Sequence, residues 1–141
     1  MDPELAHAIA DGYERWSASG DRTVMDKFSP DFHDNVSGRS GLGIFDVVQS
    51  WLEASFADRR VEHHATMFEG DRVMVWFTAH GRHIGNAFPR MADCQISGED
   101  IAWPQLHVFR VEGGLVVEHW AVRDDCSMLE EIRTAGAAGA G

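Results

Sequence analysis

The sequence contains few cysteines and few basic residues, and it lacks a long apolar run. Its two cysteines, Cys94 and Cys126, lie outside any Cys-x-x-Cys motif, so we expect reduced thiols and a cytoplasmic location. Lys and Arg number 12 against 23 Asp and Glu, and the net charge of -11 repels nucleic-acid phosphates and anionic membranes. No apolar run approaches the roughly 20 residues that span a bilayer, and the acidic start Met1–Glu4 lacks the basic flank of a signal peptide. We therefore expect no nucleic-acid partner and no membrane partner.

Common cofactor-binding and catalytic motifs are also missing. The sequence has no Gly-rich phosphate loop after a strand, no Gly-x-Ser-x-Gly elbow, no nucleotide-binding fingerprint and no His-Glu-x-x-His pair. It has eight histidines, but His63 and His64 are adjacent and their side chains point to opposite faces of a strand. The pair His107 and His119 would need a third ligand to hold a metal ion. We therefore predict that the protein uses no metal and no other cofactor.

The composition is that of one soluble globular domain. The chain has 141 residues, of which 44% are hydrophobic and 25% charged, enough for one packed core and too little for two ordinary domains. We assign residues 1–134 to this domain. Residues 135–141 are all Ala or Gly and are predicted to form a flexible tail.

Three helices are predicted in the N-terminal half. Helix caps, helix breakers and apolar spacing place them at residues 3–19, 21–29 and 44–56. The third has the strongest periodicity, with apolar residues at i, i+3, i+4 and i+7, and it carries Trp51 in a broad apolar stripe. Such a helix suits a position across a curved sheet.

After Asp58 the apolar period changes to two. Four antiparallel strands are predicted at residues 60–68, 72–82, 96–111 and 115–123, followed by a short helix at 126–133. The result is an α+β fold, in which a curved antiparallel sheet wraps around the three helices as a cone. An apolar pocket is expected inside the cone.

Stretches along the whole chain resemble one family. They are Gly20–Asp21 with Phe28–Phe32, Gly81–Gly85, and Gly114–Asp124. The last stretch matches a Gly-x-Ile-x-Glu-x-Trp-x-x-x-Asp pattern, with Val116 in place of Ile. With the element order, these stretches make residues 4–133 similar to the SnoaL-like polyketide cyclase family, within the nuclear-transport-factor-two-like superfamily. The family's usual Gln-Leu-Gly close is replaced here by Glu131-Ile132-Arg133.

The third predicted strand carries polar and aromatic residues on one face. Alternation puts four of them side by side: Trp103, Gln105, His107 and Phe109. If the next hairpin has a three-residue loop, Glu112–Gly114, then His107 lies directly opposite His119. A two-residue loop would instead send His119 outward. Each histidine is either a pocket residue, as the resemblance implies, or a hydrogen-bonded core residue.

Asp124 is the predicted acid or base. A carboxylate at the end of a strand that opens toward an apolar pocket is desolvated, and its pKa rises toward the range useful for proton transfer. Regular alternation puts Asp124 on the other face, so a bulge or a strand end must intervene. The alternative role is the N-cap of the last helix, for which Asp125 competes.

Further residues are expected at the pocket. His83 stands in the Gly-x-His-x-Gly stretch and is either a pocket ligand or a strand-end hydrogen-bonding residue. Asn35 either donates to a substrate carbonyl or makes an Asx turn. Tyr13 either contacts the substrate or packs in the core. Aromatic contacts to the substrate are expected from Trp51, Trp103 and Phe109.

The resemblance implies a cofactor-independent enzyme that closes a ring in a hydrophobic, polyketide-like aromatic substrate by an intramolecular aldol reaction. Asp124 would remove an activated α-proton, while His107, His119 and Gln105 stabilise the carbonyl oxygens. A hydroxylase, a hydratase or a dehydratase on the same scaffold is an alternative, and so is a non-catalytic protein that binds a small molecule.

The resemblance also implies a homodimer that pairs through the open face of the sheet. The second predicted strand offers a mixed surface for this contact, formed by Arg72, Met74, Trp76 and Thr78.

Overall fold

The chain begins with helix α1, Pro3–Ser19, whose two ends follow from the sequence. The computed structural model describes the backbone of residues 1–140 and the side chains of residues 1–136. Asp2 caps α1 by accepting a hydrogen bond from the N–H of Glu4 at 3.1 Å. Gly20 ends it in the left-handed region, with a φ of 80°. The predicted bounds of the first helix are confirmed.

The other helices differ from prediction mainly in length. The predicted second helix is a 3₁₀ helix, Arg22–Lys27. Helix α2, Gly43–Ser55, passes directly into a strand, and helix α3, Asp125–Ala140, is longer than predicted. Residues 135–141 were predicted to be flexible. The side chains of residues 137–141 and the backbone of Gly141 lie outside the described structure, so this stays a prediction.

Six strands within residues 1–140 form one open, curved sheet. They are β1 (Phe28–Asp34), β2 (Arg39–Ser40), β3 (Phe56–Glu69), β4 (Arg72–His83), β5 (Asp100–Glu112) and β6 (Leu115–Arg123). Their order in the sheet is β2-β1-β6-β5-β4-β3. Strands β3 to β6 are the four predicted antiparallel strands, and β1 joins β6 in parallel. The predicted α+β fold with a curved sheet around the helices is confirmed.

The hairpin between β5 and β6 has a different loop from the predicted one. Glu112 pairs with Leu115, so the loop consists of Gly113 and Gly114, with φ values of 59° and 79°. Two consecutive left-handed residues are what a two-residue type I′ turn requires. The register then shifts at Val117, an extra residue in β6 that forms a β-bulge.

This bulge decides where the histidine on β6 points. Phe109 pairs with His119, and His107 pairs with Ala121. The predicted register, with His107 directly opposite His119, is therefore wrong, and the two histidines are diagonal neighbours. The expectation that a two-residue loop turns His119 outward is also wrong, because the bulge reverses the alternation and returns His119 to the inner face.

The inner face of the sheet packs against α1 and α2. The buried residues of β5 alternate as predicted: Ile101, Trp103, Gln105, His107, Phe109 and Val111. Helix α1 covers them with Tyr13 and Trp16, while a second apolar cluster joins α3 to the segment after β4 through Met91 and Met128. No helix in residues 1–140 combines the length and the hydropathy that crossing a bilayer requires.

Candidate active site

An open cavity of about 450 Å³ lies between the inner face of the sheet, α2, the segment after β4 and the start of α3. This volume is within the roughly 300–1,000 Å³ usual for ligand pockets. Trp51, Phe88 and Trp103 supply aromatic walls, with Phe88 5.4 Å from Trp51 and 5.3 Å from Trp103 between ring centroids. Trp51 and Trp103 thus lie where the sequence predicted a pocket. The charged lining consists of Asp34, Arg39, Arg90, Arg123 and Asp125.

Behind this cavity, four buried polar side chains form one hydrogen-bonded chain. Asp34 Oδ1 lies 2.8 Å from His119 Nδ1, and His119 Nε2 lies 2.8 Å from His107 Nδ1. His107 Nε2 lies 2.8 Å from Gln105 Oε1. The predicted convergence of Gln105, His107 and His119 is therefore present, with Asp34 as its unpredicted end. Each imidazole nitrogen is engaged within the chain, so neither ring has a nitrogen free for a ligand.

Asp34 is held as an ionised carboxylate. Burial by itself would raise its pKa, but hydrogen bonds from His119 and Ser37 outweigh burial and lower the pKa to about 2. Its oxygens accept four bonds, from His119 Nδ1, the N–H of Val36, and both the N–H and the hydroxyl of Ser37. These bonds fill the acceptor capacity of the carboxylate. Asp34 therefore orients His119 and has no lone pair left for a substrate proton.

The two histidines resist protonation. Burial lowers the pKa of His107 well below its usual value, and the charge of Arg123 and any proton on His119 act in the same direction. Burial also lowers the pKa of His119, although Asp34 opposes the shift. Both rings are thus neutral at pH 7, with His119 donating through Nδ1 to Asp34 and His107 donating through Nδ1 to His119.

The amide of Gln105 presents its oxygen to His107 Nε2. This orientation suits the chain with one added proton, in which His119 donates to both Asp34 and His107, and His107 donates through Nε2. In the neutral chain His107 Nε2 accepts, and the NH₂ group of Gln105 would have to face it.

Tyr13 covers this chain from α1. Its ring centroid lies 4.5 Å from that of His107 and 5.0 Å from that of Phe109. Burial raises the pKa of Tyr13 to about 12, although Arg123 offsets part of the rise, so the phenol stays protonated and can donate. Tyr13 and Arg123 border two voids of about 10 and 20 Å³, large enough for about one water-sized group each. Arg123 and Val48 line both voids and also the large cavity.

Arg123 stands at the junction of these spaces. Its guanidinium carbon lies 5.7 Å from the centre of the Trp103 ring system, a cation–π distance. Among the side chains of residues 1–136, no carboxylate oxygen lies within 4.0 Å of its nitrogens. Alternation predicts Arg123 on the inner face of β6, but no local pattern predicts its position beside Trp103.

Asp124 is not in the cavity. It is exposed, and its side chain caps α3 by accepting the N–H of Ser127 at 3.0 Å, which lowers its pKa. The predicted rise in its pKa is therefore wrong, and the alternative N-cap role is the one the structure shows. The strand ends at Arg123, and the turn into α3 brings Asp125 rather than Asp124 to the cavity.

Asp125 is a half-buried carboxylate in the cavity wall. Trp103 Nε1–H donates to its Oδ1 at 2.9 Å, and Arg90 Nε lies 3.4 Å from its Oδ2. Two partners leave lone pairs of this carboxylate available to a ligand.

Three other predicted ligands do not line the cavity. His83 is fully buried and accepts the N–H of Ser97 at Nδ1, so its Nε2–H donates to Asn86 Oδ1 at 2.7 Å. Asn35 is exposed and donates through Nδ2 to Glu118 and to the carbonyl of His119, which ties β1 to β6. Phe109 is fully buried in the core, where it packs on His119. Their roles are structural because their polar groups or rings are already satisfied by the protein.

Asp34 could have been found by strand alternation. Phe32 is an obvious core residue, and Asp34, two positions later, shares its face, whereas Asn35 does not. The pairing of Asp34 with His119 depends on the parallel contact between β1 and β6, which no local pattern predicts. Within the described side chains, no group of three His, Cys, Asp or Glu residues is placed to share one metal ion.

The curved open sheet, the enclosed helices and the apolar cavity with a few charged groups define an α+β cone fold with an open cavity. The chain belongs to the SnoaL-like polyketide cyclase family, whose family model matches residues 6–132. No curated protein sequence matches it significantly.

Solved structures share this fold along nearly the whole chain. TsrD from Streptomyces laurentii is 20% identical, with 96% of this chain and 98% of that chain covered and a TM-score of 0.78. AclR from Streptomyces galilaeus, described as a candidate hydroxylase, is 26% identical, with 92% of each chain covered and a TM-score of 0.68. A protein from Acidithiobacillus ferrooxidans described as a candidate polyketide cyclase is 21% identical, with 96% and 99% covered and a TM-score of 0.73.

Proposed function

We propose that this protein closes a ring in a hydrophobic, polyketide-like aromatic substrate by an intramolecular aldol reaction, using its own side chains and no cofactor. The observation that carries the proposal is the half-buried carboxylate of Asp125, which lies in the wall of an aromatic cavity and retains free acceptor capacity. Membership of a polyketide cyclase family supports the same reaction class.

Asp125 is the base in this proposal. Trp103 and Arg90 hold its carboxylate in place, and a carbon flanked by two carbonyl groups is acidic enough to lose a proton to it. The C–H proton moves to Asp125, and the enolate carbon attacks a carbonyl carbon of the same molecule, forming the new C–C bond. The carbonyl oxygen becomes an alkoxide, which takes the proton back from Asp125. Atoms and charge balance without an oxidant or a reductant.

Tyr13 is the donor that meets the developing enolate oxygen. Its phenol stays protonated, because burial raises its pKa to about 12, and it borders the two small voids that share Val48 and Arg123 with the cavity lining. A preorganised donor of this kind is worth more in a dry site than in water. His107 and His119 are positioning residues in this account, since they hold the ring of Tyr13 and touch no ligand.

Product mass tests the reaction class. The purified protein is incubated, without added metal or reductant, with two aromatic β-dicarbonyl compounds that carry a ketone on the neighbouring side chain, one with a ring carboxylate and one without. An aldol closure gives a product of unchanged mass, separable by chromatography. A product that has gained an oxygen atom, or gained or lost water, contradicts the proposal, and binding without turnover identifies a non-catalytic protein.

A hydroxylase is the second candidate, because AclR, described as a candidate hydroxylase, is 26% identical over 92% of both chains. The same incubation under air with a reductant distinguishes it, since only a hydroxylase adds an oxygen atom that depends on molecular oxygen.

We also propose a homodimer that pairs through the outer face of the sheet. Trp76 and Val122 are 48% and 72% exposed there, and Leu106 lies between them across the paired strands. Arg72 and Met74 lie on the same face, while Thr78 is covered by a hydrogen bond to His64. Exposed apolar residues on adjacent strands are typical of a protein contact.

A further inference from the structure

Arg123 is a cation without a carboxylate partner in the lining of the cavity. It is half-buried, it lines the cavity and also both small voids, and no described carboxylate in residues 1–136 lies within 4.0 Å of it. In a chain with 23 acidic and 12 basic residues, a counterion is easily supplied. Several other arginines have one, as Arg60 has Asp100 and Arg110 has Glu118, while Arg39 and Arg59 have none among the described side chains.

The two carboxylates that share the cavity wall are engaged elsewhere. Asp34 gives all its lone pairs to His119, Val36 and Ser37. Asp125 is held by Trp103 and Arg90. Arg123 therefore contacts neutral groups, such as the face of Trp103, and has no carboxylate partner, so a counter-charge that arrives with the ligand would complete its charge pairing.

The electrostatics of the site point the same way. The positive charge of Arg123 is close enough to contribute, after burial, to the lowered pKa of His107, and it limits the rise in the pKa of Tyr13. Arg39 and Arg90 add two further cations to the cavity lining, against two aspartates. The cavity therefore has an excess of positive charge in a chain whose net charge is -11.

We infer that the substrate carries an anionic oxygen group, a carboxylate attached to its aromatic ring system, and that Arg123 binds this group before any reaction begins. The guanidinium lies over Trp103, so an aromatic ring can occupy the cavity beside Trp51 while its carboxylate meets the guanidinium edge. The planar fork of Arg suits a carboxylate with two parallel hydrogen bonds. The role of the bound molecule as a substrate rests on the proposed function, whereas the binding of an anion by Arg123 does not.

Ligand binding tests this without turnover. The probes are anthraquinone-2-carboxylate and its neutral analogue anthraquinone-2-carboxamide. Their binding at pH 7.5 is measured by calorimetry and by quenching of tryptophan fluorescence. The wild-type protein is expected to bind the carboxylate at least about tenfold more tightly, as a charge-assisted bidentate pair requires. Arg123→Met is expected to abolish this preference, and Arg123→Lys to retain only part of it.

Arg133→Met is the matched control, because it removes the same charge from an exposed residue of α3 that does not line the cavity. It is expected to keep most of the preference. Circular dichroism shows whether each variant is folded, and the smaller pair naphthalene-2-carboxylate and naphthalene-2-carboxamide removes any limit set by ligand size. Equal affinity for both members of each pair in the wild type overturns the inference, and so does a preference that survives in Arg123→Met.

Failure of the proposed function leaves a different result. If Asp125→Asn keeps full ring closure while the carboxylate preference persists, the catalytic assignment is wrong and the anion site stands. If ring closure depends on Asp125 but neutral and anionic probes bind alike, the anion site is wrong and the catalytic assignment stands.

Discussion

The imidazole rings of His107 and His119 are nearly parallel, 8° apart, and joined by a nitrogen–nitrogen contact of 2.8 Å, although the two residues are diagonal neighbours on paired strands. A protonated pair of this kind would place like charges in contact, so the two rings cannot both ionise. Their protonation is coupled, and it belongs to the chain from Asp34 to Gln105 as a unit.

Stability is expected to fall as the pH drops below about 6.5. Burial lowers the pKa of both histidines in the folded state, so the unfolded chain takes up protons there while the folded chain does not. The free energy of unfolding, measured in urea from pH 7.5 to pH 5, should decrease with pH in the wild type. The decrease should be smaller in His107→Gln, whereas His80→Gln, on the outer face, should match the wild type.

Asp34→Asn is expected to cost about 2 kcal/mol of stability at pH 7, since the folded protein lowers the pKa of this carboxyl from 3.8 to about 2. A carboxyl group whose pKa is lower in the folded state stabilises the fold at a pH above its pKa in the unfolded state. This stabilisation is lost as the pH falls toward the pKa in the folded state. The loss caused by the substitution should therefore shrink between pH 4 and pH 2 in urea unfolding. A constant difference across that interval would show that Asp34 acts through packing alone.

Tyr13→Phe is expected to lower kcat on the order of a hundredfold, the usual effect of removing one donor to a developing oxyanion. The ring and its packing on His107 remain, so substrate affinity and thermal unfolding should change little. The measurement is steady-state kinetics beside calorimetric binding of a non-reactive ligand. If affinity falls and kcat does not, Tyr13 binds substrate without a catalytic role.

Trp76→Glu is expected to convert a dimer to a monomer, because it puts a charge in the middle of the exposed apolar face. Light scattering coupled to size-exclusion chromatography measures the mass directly. Ile96→Glu, a charge on an equally exposed apolar residue outside the sheet, is the control. A wild-type monomer at high concentration, or a Trp76→Glu dimer, contradicts the proposed interface.

The fold followed from local patterns where those patterns are strong. Asp2 and Gly20 mark the ends of α1, and alternation on β5 correctly placed Gln105 and His107 inside. The register of the last hairpin could not be predicted from local patterns. Two glycines permit a two-residue type I′ turn, and the bulge at Val117 then returns the later side chains of β6 to the predicted face. Parity arguments fail at a bulge because one inserted residue reverses every later side chain.

The site was predictable only in part for a related reason. Asp124 and Asp125 are the same residue type and adjacent in sequence. The turn from β6 into α3 separates their roles, because Asp124 caps the helix and Asp125 lines the cavity. Asp34 joins His119 through a contact between residues 85 positions apart. Such long-range pairing depends on the whole sheet and has no local signature.

The rate of ring closure by Asp125→Asn, measured under single-turnover conditions beside Asp124→Asn, tests the central claim most directly. Both substitutions remove one negative charge, the two positions are adjacent, and asparagine still caps a helix. The account predicts that Asp125→Asn loses at least about a hundredfold in rate, as the removal of a general base does, while Asp124→Asn stays close to the wild type. A large loss in Asp124→Asn with an active Asp125→Asn would contradict it.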